Sequence, residues 1–204
     1  MSVRIILVRH GKVQGQGEGR NERLLGYTNA PLSPEGVAEI KRDAELIAKV
    51  LRVKRIYHSG LARTKEAAQI IAKTSGIGEI REDRRLRSAD RGALVGRRIV
   101  DVQGTLNFLH THPMFKFPKG GSMNEFWDRV EGVAKDLARL DGDIVVICHG
   151  SVIAAFPILL NGEDRSKIPQ RVNVEGVGSV GVVERQNGKW VRHELESGNK
   201  EDDG

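Results

Sequence analysis

Val3-Arg4-Ile5-Ile6-Leu7-Val8 runs into Arg9-His10-Gly11, and Ile144-Val145-Val146-Ile147-Cys148 runs into His149-Gly150. Both apolar runs are short and rich in β-branched residues, the pattern of strands buried on both faces. Each ends in a histidine followed by a glycine. In open α/β sheets, ligands gather outside the carboxyl ends of the strands. Two strands with this ending therefore bring two imidazoles to one sheet edge. The glycine after each lets backbone approach a ligand closely.

A third strand, Arg55-Ile56-Tyr57-His58-Ser59, leads through Gly60 into a helix from about Leu61 to Lys73. Arg63 then sits at a helix start on the same edge, where backbone N–H groups already favour anions. Arg9, Arg63, His10 and His149 together make a phosphate pocket, because arginine's planar fork matches phosphate oxygens bidentately. Taken singly, each residue has a plainer explanation. A lone histidine after a strand more often lies at the surface or caps a helix, and a lone arginine is usually solvated. Cys148 suits core packing better than nucleophilic attack. The repeated strand–His–Gly ending, with Arg63 between, singles the group out.

The remaining elements follow from period and punctuation. Ser33 and Pro34 open a helix as N-cap and first residue, and Val37, Ile40, Ala44, Ile47, Ala48 and Leu51 form its apolar face. Residues 75–123 read mostly as loop, with one modest helix over Val100 to Leu109. Asn124 can cap a helix that buries Phe126, Val130, Val133, Ala134, Leu137 and Leu140. A helix through Ala154 to Leu160 follows the second histidine. Strands over Val177 to Glu184 and Lys189 to Leu195 are joined by a turn at Gln186-Asn187-Gly188. Alternating strands and helices predict an α/β three-layer sandwich, a mainly parallel sheet with helices on both faces and an antiparallel edge. Residues 1–196 form one expected domain, and the polar stretch 197–204 an expected frayed tail.

The chain has 204 residues and 39% hydrophobic content, enough for one real core. A single cysteine rules out an intramolecular disulfide framework and suits a reducing compartment. The N-terminal apolar run is too short for a signal core or a membrane span, so a cytoplasmic location with no membrane partner is expected. Net charge is +6, but the basic residues are scattered and aromatics make up only 4%. Nucleic-acid binding is therefore the minority reading, and an anionic small molecule the favoured one. One sequence shows no interface, which leaves a homodimer open.

The motifs resemble those of the histidine phosphatase superfamily, the phosphoglycerate-mutase-like proteins. Leu7-Val8-Arg9-His10-Gly11 looks like the family signature. Five further segments follow in order. They are Gly26 to Gly36, His58 to Ala68, Leu86-Arg87 with Gly92 and Gly96, Pro118-Lys119-Gly120-Gly121-Ser122, and Val145 to Gly150. The resemblance implies a phosphatase acting on a phosphorylated small molecule. His10 would attack phosphorus and carry the phosphoryl group, while Arg9, Arg63 and His149 surround its oxygens. No metal or other cofactor is implied. The physics agrees: neighbouring arginines disfavour further positive charge and keep His10 neutral, while Arg9, Arg63 and a protonated His149 would stabilise the equatorial oxygens.

The acid departs from the pattern. Where many family members carry a glutamate four residues before the glycine, this chain has Ser88 before Gly92. Asp90 is the nearest carboxyl group and the candidate proton donor. Its alternative is a solvated loop aspartate paired with Arg87 or Arg91, and Glu82 and Asp83 are further carboxylates. Lys12 and Val13 replace a common Glu-Thr, Gly60 a common proline and Gly121 a common glutamate. Mutase-type transfer within a phosphoglycerate and non-catalytic binding of a phospho-ligand remain alternatives to hydrolysis.

Overall fold

Alternation along the first strand sends Ile5 and Leu7 to one side and Ile6 and Val8 to the other, all four fully buried. A strand with no polar face must be covered by a layer on each side. The computed structural model, which describes residues 3–168 and 180–195, shows that arrangement. The strands are β1 (Arg4–Arg9), β2 (Val53–His58), β3 (Ile80–Glu82), β4 (Asp143–Cys148), β5 (Val180–Gln186) and β6 (Lys189–Glu194). Their order across the sheet is β3-β2-β4-β1-β5-β6. β1, β2, β3 and β4 run parallel, while β5 and β6 pair antiparallel at one edge.

Among the described residues, the five α-helices are α1 (Pro34–Val50), α2 (Ala62–Ser75), α3 (Ile99–Thr111), α4 (Met123–Leu137) and α5 (Gly150–Leu160). Ile40, Ala44 and Ile47 of α1 pack with Ala67, Ala68 and Ile71 of α2 against Ile6, Val8, Val145 and Ile147. On the other face Phe126, Val130 and Val133 of α4 and Val152 and Phe156 of α5 cover Ile5, Leu7, Ile144 and Val146. This is the three-layer α/β fold with its mainly parallel sheet and antiparallel edge.

Local chemistry sets most boundaries. Ser33 caps α1 by accepting the Gly36 N–H at 3.1 Å, and Pro34 is its first residue. The cap of α4 is Ser122, not Asn124. Ser122 accepts the Glu125 N–H at 3.1 Å while Glu125 accepts the Ser122 N–H at 2.8 Å, a reciprocal box worth about 1 kcal/mol. Ala48 is exposed rather than part of the α1 core face. α3 extends to Thr111, and α5 begins at Gly150, four residues before the sequence expectation. β3 was not expected, because its three residues are all exposed and show no alternation. Asn187 and Gly188 take φ of 50° and 84°, as a two-residue hairpin turn requires. Val177 to Ser179 and the polar stretch 197–204 lie outside the described residues. No helix among the described residues is long and apolar enough to cross a membrane.

The register of β1 against β4 pairs Arg4 with Asp143 at one end and Arg9 with Cys148 at the other. The first pair is also a bidentate ion pair, with Nε to Oδ1 at 2.7 Å and Nη2 to Oδ2 at 2.6 Å. Asp43 on α1 is less well provided for. One of its carboxylate oxygens is buried without a partner, and burial pushes the group up to about 7. Its folded value exceeds the ordinary carboxylate value near 4, so ionisation opposes folding as pH rises from about 4 to 7. Asp43→Asn should therefore be more stable than the parent at pH 8, by on the order of 2 kcal/mol once solvent screening is allowed for. The difference should vanish near pH 4. Denaturant melts at the two pH values check this, and equal stabilities at pH 8 would refute it.

Candidate active site

Because β1 and β4 are adjacent and in register, the residues that follow them emerge side by side. The His10 amide donates to the Cys148 carbonyl at 3.2 Å, continuing the ladder one step past the strands. The rings of His10 and His149 lie 5.1 Å apart, centroid to centroid, edge to face. They are 5% and 4% exposed. β2 flanks β4 on its other side, so Ser59 arrives beside His149. α2 starts just beyond and carries Arg63 inward, only 1% exposed. Arg9, His10, Arg63 and His149 all line one cleft of about 420 Å³, a size suited to a small ligand. The structure thus brings together four of the five candidate residues.

Asp90 is not brought there. It is absent from the cleft lining, and its Oδ1 accepts the Gly92 N–H two residues on, at 3.1 Å. The short-range turn bond wins because an aspartate side chain reaches its own backbone without cost to the chain path. The ion pair offered as its alternative role is also missing. Arg87 Nε donates to the Ser59 carbonyl, and the Arg91 guanidinium lies 4.6 Å from the Phe117 ring centroid. Glu82 pairs with Arg84, and Asp83 caps a single turn at Arg85. Pro118 to Ser122 does not line the cleft either. Gly120 packs on Gly92, where an added Cβ would lie 2.2 Å from the Pro118 carbonyl oxygen.

The glycine after His10 has a different reason from the one expected. A Cβ on Gly11 would lie 2.4 Å from the Gly36 carbonyl oxygen, and one on Gly36 2.1 Å from that of Lys12. The nucleophile loop and the start of α1 meet backbone to backbone. After His149, by contrast, α5 begins with no side-chain cap, and Gly150 and Ser151 line the cleft. That helix start adds anion-favouring amides to the site.

Donor counting fixes the tautomers. His10 Nδ1 lies 2.8 Å from the Gly11 carbonyl oxygen, which can only accept. Nδ1 therefore carries the proton and Nε2 is the bare, nucleophilic nitrogen. Thr64 Oγ1 donates its one proton to the Leu61 carbonyl at 2.8 Å. Ser59 Oγ, 3.0 Å from Thr64, must then donate to it, so His149 Nε2, 3.0 Å from Ser59, carries a proton and donates in turn. The sequence marks this Ser59–Thr64 pair only by its place between the end of β2 and the first turn of α2.

The charge in the cleft is one-sided. Among the described residues, Arg9, Arg23, Arg63 and Arg91 line it with Glu22 as the one carboxylate. Arg63 Nη1 donates to the Thr28 carbonyl at 2.6 Å and Nη2 to that of Gly26 at 2.9 Å, and Nε is buried without a partner. Among the described residues no carboxylate pairs with this guanidinium, and burial lowers it to about 10. Burial foremost, then Arg63 and Arg9, lowers His10 to about 3. Burial also holds His149 well below 6.5, helped by His10 and Arg63. His149 is thus neutral here rather than protonated, and a dianion between the two rings would favour its protonation. Below about pH 6.5 the unfolded chain binds more protons at these two rings than the folded one, so stability falls as pH drops through that value. In a ring ¹⁵N NMR titration, His10 should keep the neutral Nδ1–H pattern from pH 8 to pH 5. A midpoint near 6.5 would contradict the geometry.

The family model of the histidine phosphatase superfamily (branch 1) matches residues 5–197. A probable phosphoglycerate mutase GpmB from Salmonella choleraesuis is 34% identical over 203 residues, covering 93% of this chain and 88% of that protein. Phosphoglycerate mutase-like protein 4 of Arabidopsis thaliana is 29% identical over 160 residues, 74% of this chain and 68% of the relative. Among solved structures, a mycobacterial glucosyl-3-phosphoglycerate phosphatase superposes with a TM-score of 0.78 at 20% identity, covering 96% of this chain and 99% of that one. Since that family model spans nearly the whole chain, the chain belongs to the histidine phosphatase superfamily.

Proposed function

We propose that this protein is a phosphatase that hydrolyses a small phosphomonoester through a phosphohistidine on His10. The observation that carries the reading is the pairing of a bare His10 Nε2 with an unneutralised Arg63 in one cleft. An uncharged imidazole has the lone pair that attack on phosphorus needs. Phosphoryl transfer asks for in-line positioning and positive charge on the equatorial oxygens, which Arg9, Arg63 and the amides at the start of α5 supply. His149, fixed through Ser59 and Thr64, supports the same oxygens once a bound dianion has favoured its protonation by solvent. A cation as buried as Arg63 is costly without a counter-charge, so binding an anion relieves it.

Mutase-type transfer is the second reading, favoured by the names of the relatives, several of which are probable phosphoglycerate mutases. It uses the same His10 but must keep water out. Assay of 3-phosphoglycerate with a bisphosphate primer separates the two: isomer formation supports the mutase, and release of inorganic phosphate the phosphatase.

With p-nitrophenyl phosphate, the parent protein should release nitrophenol and yield an acid-labile phosphoenzyme on rapid quenching. His10→Ala should lose both by at least ~10³-fold with its circular dichroism unchanged. Full turnover in that variant would end the proposal. Arg63→Met should raise KM and lower kcat together, because the guanidinium meets the phosphoryl group in ground and transition states alike.

A further inference from the structure

We propose that Glu22 is the proton donor to the leaving oxygen, a role that rests on the phosphohistidine reading above. The family position for this acid is Ser88, which lines the cleft but cannot serve as an acid at ordinary pH. Asp90 is turned away onto the Gly92 amide. Among the described residues lining the cleft, Glu22 is the sole carboxylate. It comes from the glycine-rich loop after His10, which carried no acid assignment.

The placement is held rather than floppy. The Glu22 amide donates to the Gly19 carbonyl at 3.2 Å, and its carbonyl accepts from Ile99 N–H at the head of α3, at 2.8 Å. Its neighbours are tied down as well, Arg23 N–H to the Gln16 carbonyl at 2.8 Å and Leu24 N–H to that of Arg97 at 3.0 Å. The Glu22 carboxylate accepts from Gln16 Nε2 at 3.3 Å and feels Arg9, whose guanidinium is the residue before the nucleophile. Glu22 and Arg9 line the same cleft, so on the reading above the carboxyl group faces the space in which Arg9 holds the phosphoryl group. A monoanionic phosphomonoester carries a proton in with it, and the ester oxygen must receive one as it leaves.

The chemistry balances with water as the one co-reactant. The His10 Nε2 lone pair forms the N–P bond while the ester P–O bond breaks. The electron pair stays on the ester oxygen, which takes the Glu22 proton and departs as the alcohol. Glu22, now a carboxylate, takes a proton from water as the water oxygen forms a new P–O bond. The N–P bond breaks, its electron pair returns to His10, and inorganic phosphate leaves. Glu22 is then protonated again.

A proton donor matters in proportion to how poorly the leaving group leaves, and this separates the role from mere structure. The test measures phosphoenzyme formation by rapid quench with β-glycerophosphate, an alkyl ester, and with p-nitrophenyl phosphate, whose nitrophenolate departs unaided. Glu22→Gln should slow the alkyl ester about 100-fold or more while the nitrophenyl ester stays within a few-fold. In Glu22→Ala, added formate should restore the alkyl ester alone. Equal losses on both esters would assign Glu22 to phosphate binding or to the loop's structure and overturn the proposal, as would no loss on either. The same selective loss in Asp90→Asn, with Glu22→Gln unaffected, would return the role to Asp90. If the parent protein traps no phosphoenzyme at all, the phosphohistidine reading fails and takes this one with it. A normal parent phosphoenzyme with an unselective Glu22→Gln defeats this proposal alone.

Discussion

Parallel pairing of β1 with β4 is the constraint on which the site depends. Nothing in the chain between residues 9 and 148 makes His10 and His149 neighbours; the ladder between these strands does. Slipping it by one residue would turn every β1 side chain to the opposite layer. The cost of that slip is set by Ile5, Ile6, Leu7 and Val8, each fully buried, and by the Arg4–Asp143 ion pair at the far end. β2 on the other side of β4 then delivers Ser59 and Arg63 to the same edge. The apolar layers thus act as the ruler for a polar site that has little cohesion of its own.

That site works against the fold's electrostatics. Arg63 is held by two carbonyls instead of a carboxylate, and both imidazoles are kept uncharged where water cannot solvate them. Each arrangement costs folding free energy, and each suits an incoming anion. The surface shows the opposite policy. Ion pairs such as Arg165 with Asp128 and Glu131, or Arg85 with Asp83 and Asp136, are exposed, screened and individually weak.

The architecture was legible because burial on two faces leaves a clear trace. Continuous apolar strands, a 3.6-residue period in α1 and α4, and the Ser33-Pro34 start are local signals, and each held to within a few residues. So did the convergence of Arg9, His10, Arg63 and His149, since strand ends in an α/β sheet share an edge. What was not legible depends on loop geometry. Asp90 and Glu22 are both carboxylates in irregular segments without a period. Which one reaches the cleft is decided by backbone bonds to Gly92 and Ile99 that leave no mark on composition. The start of α5 was missed because glycine is a poor helix former, although here Gly150 opens the helix beside the site.

The clamp on Arg63 has a kinetic side. Its guanidinium is locked by the Thr28 and Gly26 carbonyls, so it cannot swing aside after turnover. On the reading proposed above, a rigid cation that draws in a phosphorylated substrate also grips the inorganic phosphate left behind. Inorganic phosphate then competes with substrate for the same cation. The hold on the product is set by two backbone oxygens of the loop that lines the cleft.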